Sequence, residues 1–146
     1  MGTAQATNYL ENYLIDHLFR TRTFAKPSAV YVALFTSAPS DTGGGTEVTG
    51  GSYARKDVSP ADATWTATQG GSSGNSTGTN GQTTNVAAIT FPLPTADWGT
   101  VTHFALMDAS TGGNMLIWDQ LTAPRTILSG DPAPEFSAGA LSITIG

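Results

Sequence analysis

The N-terminal part of the chain carries apolar residues at helical spacing. Leucines recur at every fourth residue, at Leu10, Leu14 and Leu18. A second stripe beside them consists of Tyr9, Tyr13 and His17. This pattern predicts an amphipathic helix over residues 8–22, with Asn8 as the N-cap and Glu11 closing a capping box. Because a helix this short is marginal alone, its apolar face must pack on this protein or on a neighbouring one.

The pattern changes to a period of two residues after Pro27. Alternate positions give two apolar faces: Val30, Val32 and Leu34 on one side, and Tyr31, Ala33 and Phe35 on the other. A strand that is apolar on both faces is expected at the centre of a sheet. Further strand-like segments follow, nearly all separated by turn residues: 52–58, 63–68, 86–91, 100–108, 115–121, 125–128 and 141–145.

One helix followed by about eight short strands indicates a mainly β protein. We expect a single domain over residues 1–146, in which residues 28–146 form a β-sandwich or jelly-roll-like domain with one N-terminal amphipathic helix. Residues 69–84 interrupt the strands with the polar sequence QGGSSGNSTGTNGQTT. Because this stretch has no apolar side chain to bury, it is predicted to be a flexible surface loop or one that a partner orders.

Composition narrows the classes of function. The 146 residues include 6 basic and 11 acidic side chains, which gives a net charge of −5 and argues against electrostatic binding to nucleic acid or anionic membranes. The absence of cysteine excludes disulfides, thiolate zinc sites and a cysteine nucleophile. No apolar run is long enough for a membrane span, and the first residues lack the features of a secretory leader, so we expect use without export.

A serine, a histidine and an aspartate near one strand could form a catalytic triad: Ser110, His103 and Asp108. Strand alternation argues against it, because Asp108 lies on the face opposite to the one that His103 shares with Val101, Ala105 and Met107. We therefore interpret His103 as a half-buried histidine that is hydrogen-bonded within a sheet. On the helix, His17 is interpreted as a boundary or interface residue.

The other candidate groups are weaker. Ser72 lies in a G-x-S-x-G match, but no strand enters it and no helix leaves it, as a nucleophile elbow requires. The carboxylates are scattered singly and lie mostly beside turns, where they can accept backbone N–H groups. A zinc site would require His17 and His103 to converge with a carboxylate, and nothing in the sequence supports this. The spaced aromatic residues are interpreted as core, not as a carbohydrate platform: Trp65, Trp98, Trp118, Tyr53 and Phe104. We expect no enzyme, and no catalytic, cofactor-binding or metal-binding residues.

Distinctive stretches cover nearly the whole chain: NYLEN and DHL in the predicted helix, then YVALFTSAPSD, GGGTEVTGGSYAR, AITFPLPTADWGTVTHFALMDASTGGNML and the C-terminal GALSITI. These stretches resemble a family of small tailed-bacteriophage virion structural proteins, whose members are labelled tail-fibre or head decoration-like proteins. The serine-rich stretch at 69–84 is longer than in that pattern. The family has no catalytic residues to carry over, so the resemblance implies a building block of the virion, made in the host cytoplasm.

Within the virion, chain length favours one location. A fibre reaches its length through a long repeating shaft, and this chain has neither the length nor a repeat. We therefore expect a head decoration (cement) protein that binds the capsid exterior and stabilises it. The alternative is a tail-fibre, fibre-adaptor or baseplate module involved in host attachment. A carbohydrate-binding module and a small glycan hydrolase are candidates from other classes.

The expected partners are the major capsid protein or tail proteins of the same virion. Low charge and an apolar helix also favour a homo-oligomer, with a trimer or another symmetric ring as the expected form. Three segments have too little apolar content to be ordered without partners, and we predict them to be contact regions: 1–8, 37–51 and 69–84. Nucleic acid and membranes are not expected as partners.

Overall fold

The structure, a computed structural model, describes residues 2–145. It is mainly β, with antiparallel sheets and one helix near the N-terminus, as predicted. The elements in chain order are β1 (Gln5–Ala6), α1 (Asn8–Phe19), β2 (Tyr31–Ser37), β3 (Thr46–Glu47), β4 (Lys56–Asp57), β5 (Gln82–Thr84), β6 (Ile89–Thr90), β7 (Gly99–Met107), β8 (Met115–Ile127), β9 (Glu135–Phe136) and β10 (Ser142–Thr144). Between residues 2 and 145 no helix is long and apolar enough to cross a bilayer.

One six-stranded antiparallel sheet forms the first layer. Its strands follow the order β1-β8-β7-β2-β3. Strand β4 also pairs with β2, on the same side of β2 as β3 and opposite to β7. The predicted central strand is confirmed as β2, because Val32 and Leu34 are buried on one face while Ala33 and Phe35 are buried on the other. The sheet therefore needs cover on both faces.

Two small antiparallel sheets, β5–β10 and β6–β9, contribute to the second layer. Apolar residues from these strands and their flanks pack against the large sheet in one core. The small sheets and their flanks contribute Ile89, Phe91, Leu141 and Ile143, and the large sheet contributes residues that include Val32, Leu34, Phe104 and Leu106. This two-layer arrangement makes the domain β-sandwich-like.

The second layer is held together by the buried side-chain amide of Asn85, which is only 2% exposed. Its Oδ1 accepts the N–H of Leu141 at 2.9 Å, and its Nδ2 donates to the carbonyl oxygens of Ala87 at 2.8 Å and Ser137 at 2.9 Å. The backbone carbonyl of Asn85 accepts the N–H of Gly139 at 2.8 Å. Asn85 lies between β5 and β6, whereas Ser137 and Leu141 lie between β9 and β10, so this asparagine joins the two connections that link the small sheets.

The longest strand differs from the prediction. Segments 115–121 and 125–128 were expected as separate strands, but they form the single strand β8. His103 pairs with Gln120 and Val101 pairs with Arg125, so residues 121–124 bulge opposite a single residue of β7. Pro124 lies in this bulge, where its missing N–H breaks no ladder hydrogen bond.

Because of the same register shift, the predicted assignment of residues to the two faces of β7 is wrong at Val101. Val101 was expected to share a face with His103, but it packs in the main core together with Phe104. Strict alternation fails here because the irregular pairing lies between Val101 and His103.

The helix also differs from the prediction. It begins at Asn8 as predicted, but its N-cap is Thr7 instead of Asn8, and it ends at Phe19 instead of residue 22. Thr7 is buried, its hydroxyl donates to the carbonyl oxygen of Met115 at 2.5 Å, and its Oγ1 caps the helix by accepting the N–H of Leu10 at 3.5 Å. Pairing of β1 with β8 fixes Thr7 at the turn into the helix, so Glu11 cannot close the expected capping box.

Several short elements also depart from the sequence pattern. Segments 52–58 and 86–91 contain only the two-residue strands β4 and β6, and segment 63–68 contributes a single bridge between Trp65 and Asn85. The strands β1, β3, β5 and β9 were not predicted. In particular, the predicted loop 69–84 ends at residue 81, because Gln82–Thr84 pair with Ser142–Thr144 near the C-terminus.

The Asn85 amide gives a stability test. Replacement by aspartate keeps the side-chain shape but removes the N–H donors and buries a carboxyl group, so Asn85→Asp should lower the free energy of unfolding by at least about 3 kcal/mol. The same change at exposed Asn75 should cost less than about 0.5 kcal/mol. Urea denaturation measures both, and equal stabilities for the two variants would contradict the role of Asn85.

Candidate interaction surfaces

The residues considered for a triad do not meet. His103 is half-buried, and its Nδ1 is hydrogen-bonded to the Thr102 hydroxyl at 2.8 Å. Asp108, at the end of β7, accepts both the backbone N–H and the side-chain N–H of Asn114, at 2.6 and 2.8 Å. The interpretation of His103 as a half-buried histidine within a sheet is therefore confirmed.

The environment of His103 changes its titration. Burial disfavours the charged imidazolium and lowers the pKa of His103 below its usual value of 6.5, while the nearby Asp119 carboxylate opposes this shift. The imidazole also lies beside the indole of Trp118, with 5.9 Å between ring centroids. This histidine is therefore part of the packed sheet.

Carboxylates follow the predicted turn chemistry. Asp57 accepts the N–H of Ser59 at 2.7 Å, and hydrogen bonds to Ser59 lower the pKa of Asp57. Asp131 accepts the N–H of Leu128 at 2.8 Å within one turn, whereas Asp97 accepts the N–H of Ser129, 32 residues away in the chain, at 2.8 Å. In the described part of the chain, no three histidine, aspartate or glutamate side chains are grouped so that they could hold a metal ion.

The aromatic residues do not form an exposed platform. Phe104 and Trp98 are buried, as predicted for core residues, and the Trp98 Nε1 donates to the Gly51 carbonyl at 2.9 Å. Trp65 is half-buried and donates to the Val58 carbonyl at 2.9 Å. Beside Trp65 lies a cavity of about 270 Å³ lined by polar residues such as Lys26, Asp62, Ser72 and Ser76.

Two of the three predicted contact regions are ordered by the domain itself. Residues 5–6 of the first region form β1 at the edge of the large sheet, and Met1 lies outside the described residues. The region 37–51 contains β3, where Glu47 accepts two hydrogen bonds from Arg55, at 2.8 Å from Nε and 2.7 Å from Nη2. Arg55 also donates to the carbonyl oxygens of Ala109 and Gly112. Both regions thus form pairs and hydrogen bonds within the domain, and their contact with a partner stays a prediction.

The Arg55–Glu47 ion pair is well sheltered, with 7% and 24% of the two side chains exposed. The Tyr53 hydroxyl joins it by donating to Glu47 at 2.9 Å while accepting the N–H of Leu34. Burial and the neighbouring carboxylate raise the pKa of Tyr53. This network fixes the loop around residues 109–112 to the sheet.

The third region remains an exposed surface as residues 69–81, which we call the polar loop. It has internal hydrogen bonds: Thr77 N–H donates to Gln69 Oε1 at 2.8 Å, and Gly78 N–H donates to Thr68 Oγ1 at 2.8 Å. Gly78 is required there, because a Cβ would collide with the Thr68 carbonyl. The polar loop thus closes on its own base and projects from the sandwich.

The second exposed surface is the outward side of α1. Tyr9 and Leu10 pack against the main core, but the exposed fraction rises along the helix to 38% for Leu14, 66% for Leu18 and 77% for Phe19. The predicted packing of the whole leucine stripe is therefore wrong beyond Leu10. The first turn is anchored through Thr7 and β8, whereas the later turns contact the segment that follows the helix, where Phe24 packs on Tyr13 at 5.0 Å between ring centroids and its N–H donates to His17 Nδ1 at 3.1 Å.

The sequence contained a signal for this surface. Ile15 and Phe19 lie outside the leucine stripe, and with them the helix is apolar on more than one side. A helix of that kind is typically buried in an assembly. Ile15 is 52% exposed, so its own domain covers only about half of this residue.

A β-sandwich-like domain whose exposed features are an apolar helix and a polar loop has the character of a structural subunit. The sequence profile of the Podophage GP4 fiber I protein gp80 family matches residues 5–144, and the chain belongs to that family. It is a phage fibre-related structural protein of the virion, in agreement with the resemblance seen in the sequence. A search of curated proteins finds no match.

The geometry of the polar loop predicts tolerance to insertion. Gly74 has open space around it, so a short flexible epitope between Gly74 and Asn75 should change the melting temperature by less than about 3 °C. The same epitope between Gly139 and Ala140, which are equally exposed, should destabilise the domain because the Gly139 N–H bonds to Asn85. Thermal melts that rank the two insertions in the reverse order would contradict this assignment.

The lowered pKa of His103 predicts that the free energy of unfolding depends on pH. Its folded pKa lies below the unfolded value, so the unfolded chain binds more protons and stability should fall as the pH drops through about 6.5. Replacing it in His103→Gln should flatten the decline in unfolding free energy between about pH 7 and pH 5. His17→Gln on the exposed helix is the control, and urea denaturation at each pH measures the slopes.

Proposed function

We propose that this protein is a structural module of the phage tail fibre that connects or caps other virion proteins. The observation that carries the proposal is the family match over residues 5–144, which includes every strand and the helix. Chain length favoured head decoration in the sequence analysis, but the family match supports the fibre alternative instead. With 146 residues and no repeat, the chain fits an adaptor, base or tip of a fibre, not its shaft.

The architecture supports a connecting role. The sandwich has buried apolar clusters on both faces of its large sheet and a sheltered ion pair, while α1 and the polar loop carry exposed side chains. An exposed apolar helix is a common means of docking on another protein, where its side chains enter a groove. The polar loop has backbone and hydroxyl groups that can contact a protein or host surface through hydrogen bonds.

The proposed role is non-catalytic. The carboxylates with turn contacts and the His103 imidazole are engaged by neighbouring groups in the domain, as are the guanidinium and carboxylate of the Arg55–Glu47 pair. A general base needs a proton acceptor directed at a substrate position, and none of these groups is placed in that way. We therefore propose that the protein acts through its contacts and not through turnover.

Gold labelling of virions tests the location. A phage that carries an epitope between Gly74 and Asn75 should bind gold-conjugated antibody on its tail fibres, with parental virions as the unlabelled control. The insertion site is exposed, so the epitope remains accessible if the fibre module is assembled. Label distributed over the head would reject the fibre proposal and restore the decoration interpretation.

A further inference from the structure

The polar loop ends at an asparagine that is followed by glycine, Asn80 and Gly81. The other asparagines of the chain precede residues that carry a side chain, and they are Asn8, Asn12, Asn75, Asn85 and Asn114. The amide carbon of an asparagine side chain can be attacked by the backbone nitrogen of the next residue. Since glycine has no Cβ to obstruct this approach, an Asn–Gly pair is more open to the attack than the other pairs.

The fold requires glycine after Asn80. Gly81 has a positive φ of 60°, and a Cβ there would collide with the carbonyl oxygen of Ile145. The carbonyl oxygen of Gly81 accepts the N–H of Ile145 at 3.0 Å, which places this close approach next to the β5–β10 pair. The Asn–Gly sequence is therefore kept at a point of the backbone where a larger residue would be strained.

The side chain of Asn80 is exposed and is oriented by one hydrogen bond. Its Oδ1 accepts the backbone N–H of Gln82 at 3.1 Å, two residues further along the chain, in an Asx turn. Such a turn folds the side chain along the backbone of Gly81, which is the direction of the attack. The Gly81 N–H donates no hydrogen bond to another described residue, so the fold does not hold the attacking nitrogen.

The same hydrogen bond stabilises the charge that the attack generates. When a nitrogen adds to the amide carbon of Asn80, negative charge develops on Oδ1. The Gln82 N–H already lies at hydrogen-bonding distance from that oxygen, as a donor in an oxyanion hole does. The amides of Asn114 and Asn85 differ, because the first is bonded to Asp108 and the second is buried.

We propose that Asn80 is a site of spontaneous deamidation in the folded protein. Hydroxide removes the proton of the Gly81 nitrogen, and this nitrogen bonds to the amide carbon of Asn80. The side-chain nitrogen takes a proton from water and leaves as ammonia, which regenerates hydroxide and closes a cyclic imide. Water then opens the imide at either carbonyl group and gives aspartate or isoaspartate. The net reaction consumes one water and releases one ammonia, without oxidation or reduction.

The modification changes the charge of the polar loop. Residues 69–81 contain no charged side chain, so a carboxylate at position 80 is the first charge on this surface. The isoaspartate product also adds one methylene group to the main chain where the loop enters β5. Both products thus alter the foot of the polar loop. This inference does not depend on where the protein lies in the virion.

Peptide mapping by mass spectrometry tests the proposal on the whole chain, incubated in mildly alkaline buffer. Conversion of Asn80 to aspartate and isoaspartate should be at least about tenfold faster than conversion of Asn75. Asn75 is the internal control, because it is also exposed in the polar loop but precedes Ser76. An Asn80 that stays an amide, or equal rates at the two asparagines, would overturn the proposal.

Two matched variants assign the change to this residue. The parent protein and Asn75→Ser should both gain an acidic species on anion exchange over the same period, whereas Asn80→Ser should not. Serine keeps an oxygen that can accept the Gln82 N–H but has no amide to lose. Circular dichroism during the incubation should show the folded domain throughout. An acidic species that forms in Asn80→Ser at the parental rate, or only after the domain has unfolded, would contradict deamidation of the folded chain at Asn80.

Discussion

The buried amide of Asn85 is the interaction on which the second layer of the sandwich depends. Short strands such as β5, β6, β9 and β10 bring too few ladder hydrogen bonds to position themselves. A single side chain on the β5–β6 connection adds hydrogen bonds to Ala87 of its own segment and to Ser137 and Leu141 of the β9–β10 connection. Once they are fixed, Ile89 and Ile143 can cover the apolar face of β2 and β7.

The large sheet explains why the helix is exposed. Both faces of β2 are buried within the domain, one by the second layer and the other by neighbouring side chains and loops. The remaining place for α1 is beside β8, where β1 and Thr7 hold its first turn. The fold thus directs the apolar side of the helix outward, which connects the architecture with a role in assembly.

The sequence predicted the features that periodicity determines. The helix, the central strand β2 and the strand β7 follow from regular apolar spacing, and the family resemblance followed from stretches of sequence. The short strands were missed because two or three residues carry no periodic signal, and their partners are far away in the chain, as for Gln82–Thr84 and Ser142–Thr144. The N-cap at Thr7 and the exposure of Leu18 depend on tertiary contacts that spacing alone does not contain.

The closure of the polar loop has a consequence for how this chain can diversify. Side chains at its base, Thr68 and Gln69, bind the returning backbone, and residues 70–76 form hydrogen bonds with residues 67–69. Substitutions, insertions or deletions within residues 70–76 alter the outer surface of the domain, while the contacts of Asn85 are kept. Natural selection on this surface can therefore act without the stability loss that accompanies core substitutions. Related chains should diverge first in this loop and retain the sandwich beneath it.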